Sequence, residues 1–441
     1  MKIALIGQDI PTLLPTLLTD LLFAGKARDA EIALEEKNPA MGAVLQGYGD
    51  AVFRQAGLGG SLRTDTDRDT VLRNADAVIY AGDLQPASRF AMDRSALSSG
   101  REDAEEGGED PGLTDQARVN GGLGGLLHAL RAGTEVFRLC DAMDKACPDA
   151  LVINLGQPAA RTTAMFLDRG YRCFGLGRTP LKGANGLDTI LKRMRIAPEN
   201  TVWQEAGLPG FAFLLKLEDN GLDLQPKLKK AVRNGEMGDL SRRWLDWWDA
   251  VPLGDVTDHA EYLPAQPDFI PEENPEFGES VERRKERILY MNTVGQKGAS
   301  DREGAMAQLL LLSKAPPIRP TRLALALLRK ETAEEPAVIR RNAGLLPQLP
   351  ESAVVETRLR LDRGVDCPEP AVLPPALADV MVMIDDANRL AARAARGDME
   401  ALRQYVETDP ALDGLDRLYC MDVVRALIRL HQDVLPAFED L

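Results

Sequence analysis

The sequence predicts an α/β chain in which an N-terminal parallel β-sheet is wrapped by helices and followed by a C-terminal α+β region that ends in helices. Three observations support this fold class. Short apolar runs that end at Gly, Asn, Gln or Asp alternate with helical patterns through the first 195 residues. This alternation fades from about residue 200. Three stretches with helical apolar spacing close the chain, at about 377–395, 399–407 and 415–434.

The individual elements follow from their apolar patterns. The first strand is predicted at Lys2 to Gly7, and leucines with helical spacing predict a helix over 11–23. Further strands are predicted at 30–34, 75–80, 150–154, 172–176 and, beyond the first sheet, 211–217. We therefore expect an N-terminal domain over residues 1–195 and a C-terminal domain over residues 196–441. Ligands of open parallel sheets bind beyond the carboxyl ends of the strands.

Length and composition exclude several classes of protein. The chain has 441 residues, enough for two or three domains, and its formal net charge is −15. Phosphates would be repelled, so a general nucleic-acid or anionic-membrane binder is not expected. Five widely spaced cysteines without a CxxC pair indicate reduced thiols. We find no secretory leader and no apolar stretch of membrane-spanning length, and we expect a soluble, cytoplasmic protein.

The turn after the first strand is an incomplete dinucleotide-binding fingerprint. A complete one places three glycines where the backbone approaches a pyrophosphate. Here only Gly7 is present, and Asp9 sets a carboxylate where phosphates would lie. Glu35 stands at the end of the second strand, where an acid can bond a ribose hydroxyl. The alternative is an ordinary turn and an ordinary acid at a strand end.

A second glycine-rich turn, residues 120–125, runs directly into a helix that carries His128 and Arg131. Its backbone amides, including those of Gly124 and Gly125, could donate to an anion or to a sugar oxygen. The alternative is a tight turn that lets the helix pack closely, because glycine serves both needs. With only three histidines in the chain, a multi-histidine metal site is not expected.

Several stretches, in this order along the chain, resemble glycoside hydrolase family 4. They are Asn120 to Arg131 (NGGLGGLLHALR), Cys147 to Pro158 (CPDALVINLGQP), Gly175 to Thr179 (GLGRT), Trp203 to Phe213 (WQEAGLPGFAF), Asp223 to Lys229 (DLQPKLK), His259 to Pro264 (HAEYLP) and Arg341 to Glu356 (RNAGLLPQLPESAVVE). The similarity covers most of the chain. It implies a Rossmann-like N-terminal sheet with the family's C-terminal α+β domain, and assembly as a homodimer or homotetramer.

The resemblance also implies a reaction that departs from two-carboxylate glycosidases. In the family, NAD oxidises the hydroxyl at sugar carbon 3, a manganese ion polarises the ketone, and a tyrosine removes the proton at carbon 2. The glycosidic oxygen then leaves, water adds, and the ketone is reduced. Tyr262 matches the tyrosine, and Gly7, Glu35, Gly124 and Gly125 are the expected cofactor contacts. Asn154, Gln157 and Arg131 are the expected substrate contacts.

The departures from the family fall on its metal site. The cysteine and histidine ligands correspond to Gly177 and Gly210, so we predict no metal site and do not expect manganese to bind. Arg178 follows the first of these glycines and could act as a fixed electrophile in place of the metal. We expect a glycosidase for a small sugar substrate with an altered, metal-independent site. The alternative is a catalytically silent relative that binds a ligand or a partner.

Overall fold

A computed structural model describes residues 1–23, 30–57, 59–82, 86–98, 113–177, 183, 185–266, 281–297 and 319–438. Its strands form one mixed sheet in the order β10-β8-β7-β12-β11-β6-β5-β4-β1-β2-β3, with β9 and β13 on its margins. The strands are β1 Lys2–Ile6, β2 Glu31–Glu35, β3 Ser61–Asp65, β4 Ala77–Tyr80, β5 Leu151–Asn154, β6 Cys173–Gly175, β7 Thr201–Leu208, β8 Phe211–Asp219, β9 Leu222–Asp223, β10 Val251–Leu253, β11 Ala333–Arg341, β12 Val354–Asp362 and β13 Val365–Asp366.

The N-terminal half of the sheet is parallel, with β1 between β2 and β4. The five strands expected there from sequence are β1, β2, β4, β5 and β6, and the predicted fold class is confirmed. The edge strand β3 was not predicted, because in its sequence SLRTD only Leu62 is a buried apolar residue. From β1 the chain adds β2 and β3 on one side and then β4, β5 and β6 on the other side. Ligands of such sheets bind at this switch point, between β1 and β4.

The C-terminal half of the sheet is antiparallel and continues the first half without a break. Strand β11 pairs with β6 through Ile339 and Gly175, and with β12 along most of its length. Strand β12 then pairs with β7, and β7 with β8. The predicted strand at 211–217 corresponds to the first seven residues of β8. The expected boundary at residues 195 and 196 falls between helix α7, Leu187–Met194, and β7.

Helices cover both faces of the sheet. In the described residues they are α1 Ile10–Phe23, α2 Pro39–Ala56, α3 Arg68–Leu72, α4 Pro86–Ser98, α5 Gly122–Ala146, α6 Ala159–Asp168, α7 Leu187–Met194, α8 Gln225–Arg233, α9 Asp239–Trp248, α10 Val256–Ala260, α11 Val281–Lys297, α12 Pro320–Arg329, α13 Pro375–Ala394, α14 Met399–Thr408 and α15 Arg417–Leu430. The three C-terminal helices match the three predicted stretches. Helices α13, α14 and α15 pack with α5 and α6 in one apolar core, which fixes α5 against the sheet.

Candidate functional site

The turn after β1 has the backbone geometry that a glycine allows. Gly7 has a φ of 125°, and a Cβ atom there would lie 2.2 Å from the carbonyl oxygen of Ala81. The amide of Asp9 donates to that same oxygen at 3.1 Å, and the amide of Ile10 donates to the carbonyl of Gly7 at 3.2 Å. Pro11 has no amide hydrogen. The close approach to Ala81 therefore accounts for a glycine at position 7, and these two amide donors are already engaged within the chain.

Glu35 lies at the end of β2, as predicted, and only 8% of it is exposed. Its carboxylate accepts from the guanidinium of Arg68, with Nε at 3.0 Å from Oε2. The ammonium group of Lys37 lies 2.6 Å from Oε1. Each carboxylate oxygen of Glu35 is thus paired with a basic side chain of the protein. A ribose hydroxyl would have to share these oxygens with Arg68 and Lys37.

The glycine-rich turn is tightly packed around the N-terminus of α5. A Cβ atom on Gly124 would lie 2.5 Å from the carbonyl oxygen of Arg118, and one on Gly125 would lie 2.4 Å from the carbonyl carbon of Asn120. The amide of Gly122 donates to Oδ2 of Asp409 at 3.0 Å. This close approach requires glycine on packing grounds alone, and an internal carboxylate occupies the end of the helix where an anion would bind.

The loop after β5 is shaped by Asn154, which is fully buried. Its side-chain amide donates to the hydroxyls of Thr162 and Thr163, each at 2.9 Å, and its Oδ1 accepts from the amide of Gly156 at 2.9 Å. All of these contacts hold the loop itself. Gln157, three residues further on, is exposed beyond the strand end. Of the two predicted substrate contacts in this loop, Asn154 is buried and Gln157 is exposed to solvent.

Arg131 lies inside the molecule and is 2% exposed. Its guanidinium lies 2.8 Å from Oδ2 of Asp93, whose Oδ1 lies 2.6 Å from Nε2 of His431. Arg89 in turn contacts His431 and Asp433. These side chains join α4, α5 and the segment after α15. The predicted substrate contact is therefore part of a buried ionic cluster.

Tyr262 is 4% exposed and follows helix α10. Its hydroxyl donates to the carbonyl oxygen of Pro209 at 3.0 Å, and burial raises the pKa of the phenol above its ordinary value. The segment that carries it is fixed by Arg118, whose Nη1 donates to the carbonyls of Glu261 at 2.9 Å and Leu263 at 2.6 Å. The Tyr262 hydroxyl and the backbone on either side of it are therefore engaged in internal hydrogen bonds.

Tyr262 also lies against one of the two glycines at the family's metal-ligand positions. A Cβ atom on Gly210 would lie 3.4 Å from the Tyr262 hydroxyl oxygen and 3.3 Å from Cε2. Gly210 has a φ of 79°, in the left-handed region, and forms the tip of the β7–β8 hairpin. The phenol thus fills space that a side chain at 210 would share.

The other glycine, Gly177, lies beside a carboxyl group. A Cβ atom at 177 would be 2.7 Å from Oε1 of Glu356, a fully buried residue of β12. Burial raises the pKa of Glu356 to about 8, and the charge of Asp258 adds to this effect. Arg178, the predicted electrophile, lies outside the described residues. Glu356 therefore lies beside Gly177 and Tyr262 beside Gly210, and the charge of Glu356 is one of the smaller causes that raise the pKa of Tyr262.

A second buried carboxyl group lies close by on the neighbouring strand. Glu205 of β7 is 2% exposed, and among the described residues neither its oxygens nor those of Glu356 have a hydrogen-bond partner. Burial raises the pKa of Glu205, and the charge of Glu356 raises it further. Sequence reasoning missed both residues. For Glu356 the signal was an acid within the strand-like stretch VVETRLRL, at a position that also suits a solvent-facing side chain.

The side chains at this place do not form a manganese site of the usual kind. Gly177 and Gly210 offer no side-chain ligand atom. Nowhere in the described ranges do three His, Cys, Asp or Glu side chains come together in a way that could hold a metal ion.

The chain shares its fold with solved glycosidases. A 6-phospho-alpha-glucosidase from gut microorganisms, in complex with NAD and Mn²⁺, is 15% identical, with a TM-score of 0.70 over 99% of both chains. The 6-phospho-beta glucosidase from Thermotoga maritima, with NAD and glucose-6-phosphate, is 16% identical, with a TM-score of 0.70 over 99% of both chains. At these identities the similarity establishes the fold.

Two characterised relatives match over shorter stretches. An alpha-glucosidase of Erwinia rhapontici is 28% identical over 160 residues, which are 36% of this chain and 33% of that protein. An alpha-galactosidase of Bacillus subtilis (strain 168) is 28% identical over 113 residues, 25% of this chain and 26% of that protein. The chain thus matches about a third of the length of the alpha-glucosidase and about a quarter of the length of the alpha-galactosidase.

Within the described part of the chain, no helix has the length and apolar character needed to cross a lipid bilayer.

The family models account for most of the sequence. Residues 2–191 match the family 4 glycosyl hydrolase model, and residues 206–412 match the model of the family 4 glycosyl hydrolase C-terminal domain. The chain therefore belongs to family 4 of the glycosyl hydrolases.

Proposed function

We propose that the protein acts on the O-glycosyl bond of a small sugar substrate by the NAD-dependent oxidation and elimination route of its family, at a site that works without manganese. The observation that carries this proposal is the occupation of the two metal-ligand positions. Glu356 fills the space beside Gly177, and Tyr262 fills the space beside Gly210. Two polar groups of the chain thus border these positions, and polarising the substrate would fall to such groups in place of a metal.

NAD, when bound, would accept a hydride from the sugar and later return it. Gly7 would place the backbone near the pyrophosphate, and Glu35 would face a ribose. Gly124 and Gly125, in the glycine-rich turn at residues 120–125, would contact the cofactor as well. The parallel strand order around β1 and β4 supports this placement, because dinucleotides bind where such a sheet changes direction.

The side chains of the chain would have separate tasks. Gln157 would contact the sugar, while Asn154 would hold the loop that carries it. Arg131 would support α5 from within through its ion pair with Asp93. Tyr262 would be the base that removes the proton at sugar carbon 2. To do so, its hydroxyl group would first have to lose its own proton. Arg178 remains the proposed fixed cation beside Gly177.

The relatives support a small glycoside as the substrate class. The characterised ones are an alpha-glucosidase and an alpha-galactosidase, and two of the similar structures act on 6-phosphoglucosides by their names. We further propose a cytoplasmic homodimer or homotetramer that binds neither nucleic acid nor membranes, consistent with the net charge of −15. Residues 1–195 would be the cofactor domain and 196–441 the second domain.

A catalytically silent ligand-binding or partner-binding protein is the second candidate, and a specific observation favours it. The Tyr262 hydroxyl is engaged by the carbonyl of Pro209, and its pKa is raised, so the group is poorly suited to remove a proton. The amides of Asp9 and Ile10, which could receive a pyrophosphate, are engaged as well.

NAD binding and turnover separate the two candidates. Titration calorimetry with NAD, with and without MnCl₂, is followed by assays with 4-nitrophenyl glucosides and galactosides and their 6-phosphates in the presence of NAD. Micromolar NAD binding that is indifferent to manganese, with turnover lost in Tyr262→Phe, supports the enzyme. Absence of binding at millimolar NAD together with absence of turnover supports the silent relative. Turnover that requires manganese refutes the metal-independent site.

A further inference from the structure

The residues around Tyr262 are held by a side chain from a distant part of the chain. Helix α10, which precedes Tyr262, has only five residues, and the last carbonyls of a helix lack partners within it. Arg118 is 1% exposed, and its Nη1 donates to the carbonyls of Ala260 at 3.5 Å, Glu261 at 2.9 Å and Leu263 at 2.6 Å. The Tyr262 segment, residues 260–263, therefore takes its position from the residues before α5.

The side chain of Glu261 makes the reverse contact. Its Oε2 accepts from the backbone amide of Asn120 at 2.8 Å and from the side-chain amide of the same residue at 2.6 Å. Its Oε1 accepts from the amide of Val119 at 3.3 Å. These donors lie at the start of the glycine-rich turn. Arg118 and Glu261 thus form hydrogen bonds in both directions between this turn and the Tyr262 segment.

The turn and the Tyr262 segment also touch through their backbones. A Cβ atom on Gly121 would lie 2.0 Å from the carbonyl oxygen of Glu261 and 3.1 Å from Cα of Tyr262. Such a close approach of two backbones requires glycine, because any side chain at position 121 would push the segments apart. Packing and hydrogen bonds therefore fix the same separation.

This separation matters because the proposed function gives the two segments different tasks. The glycine-rich turn would contact the cofactor through Gly124 and Gly125, and Tyr262 would be the base. Asn120 and Glu261 are 141 residues apart along the chain, so local structure does not set the distance between these tasks. A displacement of about 1 Å between reacting groups can cost about 100-fold in rate.

We propose that Arg118 and Glu261 are positioning residues that hold Tyr262 against the glycine-rich turn, and so set the distance between the base and the cofactor. The inference rests on the proposed function for the tasks of Tyr262 and of the turn. Both residues act through the backbone of the Tyr262 segment, and neither needs to touch the sugar.

Fluorine NMR of Tyr262 tests this role without turnover. The seven tyrosines of the chain are replaced by 3-fluorotyrosine, and the Tyr262 resonance is the one that Tyr262→Phe lacks. The other variants are Glu261→Ala, Glu261→Gln, Arg118→Met and Asp409→Ala. Alanine removes the acceptor at 261, whereas glutamine keeps an oxygen for the two donors of Asn120.

Asp409→Ala is the matched control for the loss of a carboxylate at this turn. Asp409 accepts from another amide of the turn, that of Gly122, at 3.0 Å. Among the described residues it forms no hydrogen bond to residues 260–263. A variant that only loosens the turn is thereby separated from one that releases Tyr262.

We expect the Tyr262 resonance to shift or broaden in Glu261→Ala and Arg118→Met, and to keep its wild-type position in Glu261→Gln and Asp409→Ala. Arg118 is buried, so Glu261→Ala, a change at a partly exposed residue, decides the outcome if Arg118→Met does not fold. An unmoved resonance in Glu261→Ala overturns the proposal, and so does an equal shift in Asp409→Ala.

Turnover of 4-nitrophenyl glycosides with NAD supplies a second readout. Glu261→Ala should lower kcat about 10- to 100-fold and change KM by less than about threefold, and Glu261→Gln should recover most of the loss. An unchanged kcat beside a shifted resonance overturns the positioning role. If wild type turns over none of these substrates, the proposed function fails, while the resonance still decides whether Arg118 and Glu261 position Tyr262.

Discussion

Oε1 of Glu356 lies 2.7 Å from the position that a Cβ atom of residue 177 would take, so Gly177 and Glu356 share a space that fits one side chain. The glycine and the acid are therefore complementary. Restoring a larger residue at 177 forces the carboxyl group to move, and removing the carboxyl group leaves a hole beside the glycine.

This relationship predicts a coupling between the two positions. Gly177→Cys alone should lower the free energy of unfolding by about 1 to 3 kcal/mol, because the added atoms overlap the Glu356 carboxyl group. In the Glu356→Ala background the same substitution should cost less than about 1 kcal/mol. Urea unfolding of the four proteins of the cycle measures the difference. Equal costs of Gly177→Cys in both backgrounds would show that the two residues do not share space.

The buried acid should also make stability fall with rising pH. The folded pKa of Glu356 is about 8 and the ordinary value is 4.5, so the folded state binds more protons between these values. The contribution is therefore fully present below pH 4.5 and lost as the pH rises through 8. Relative to Glu356→Gln, wild type should lose up to about 1.4 kcal/mol for each pH unit across this window.

Denaturant unfolding at pH 5, 6.5 and 8.5 measures this loss. Glu135→Gln, a change at a partly exposed acid of α5, is the control and should follow the wild-type profile. Parallel pH profiles for wild type and Glu356→Gln would mean that Glu356 does not carry a raised pKa.

Asp409 should act as an internal anion for the N-terminus of α5. Its Oδ2 accepts from the amide of Gly122 at 3.0 Å, and the residue is 2% exposed. Asp409→Ala should lower the free energy of unfolding by about 1 to 2 kcal/mol. It should also free the helix end, so that inorganic phosphate raises the melting temperature of this variant but not that of wild type.

Asp416→Ala is a suitable control for Asp409, because Asp416 caps helix α15 through exposed hydrogen bonds, accepting from the amides of Leu418 and Tyr419. It should lose comparable stability without gaining a response to phosphate. If phosphate stabilises wild type as strongly as Asp409→Ala, the turn is an open anion site and the interpretation of Asp409 is wrong.

The ionic cluster around Asp93 should be structural. Asp93→Ala leaves Arg131 with its charge buried and should cost about 3 to 5 kcal/mol, whereas Asp141→Ala, which removes an exposed partner of Arg169, should cost less than about 1 kcal/mol. Arg131→Met should likewise reduce stability. Calorimetry with the 4-nitrophenyl glycosides in the presence of NAD decides whether Arg131 also binds sugar: a tenfold loss of affinity in a folded Arg131→Met protein would support the substrate contact.

The sequence predicted the parallel sheet well because its strands are buried on both faces and form apolar runs, such as AVIY in β4 and LVIN in β5. The antiparallel strand β7 was not predicted, because its sequence TVWQEAGL mixes a glycine and an acid with apolar residues. Only the fold shows that Glu205 in this strand points inward. The same holds for Glu356, whose burial depends on the register of β12 against β7 and β11.

Motif positions were easier to predict than the partners of each side chain. The sequence placed Gly7, Glu35 and Asn154 at strand ends, where the structure has them. It could not indicate that Arg68 and Lys37 pair with Glu35, or that Asp409 reaches Gly122 from 287 residues away. Such long-range pairs depend on how distant helices pack, and local pattern carries no information about them.

The single backbone ladder from β3 to β10 has a consequence for how the chain can be divided. Where β11 lies beside β6, hydrogen bonds join the segments matched by the two family models. A cut between residues 195 and 332 would leave β6 with a bare flank of unpaired amides and carbonyls on one fragment, and β11 with the complementary flank on the other. Exposed strand flanks promote aggregation. The two fragments should therefore be insoluble when expressed singly and should recover solubility when produced together.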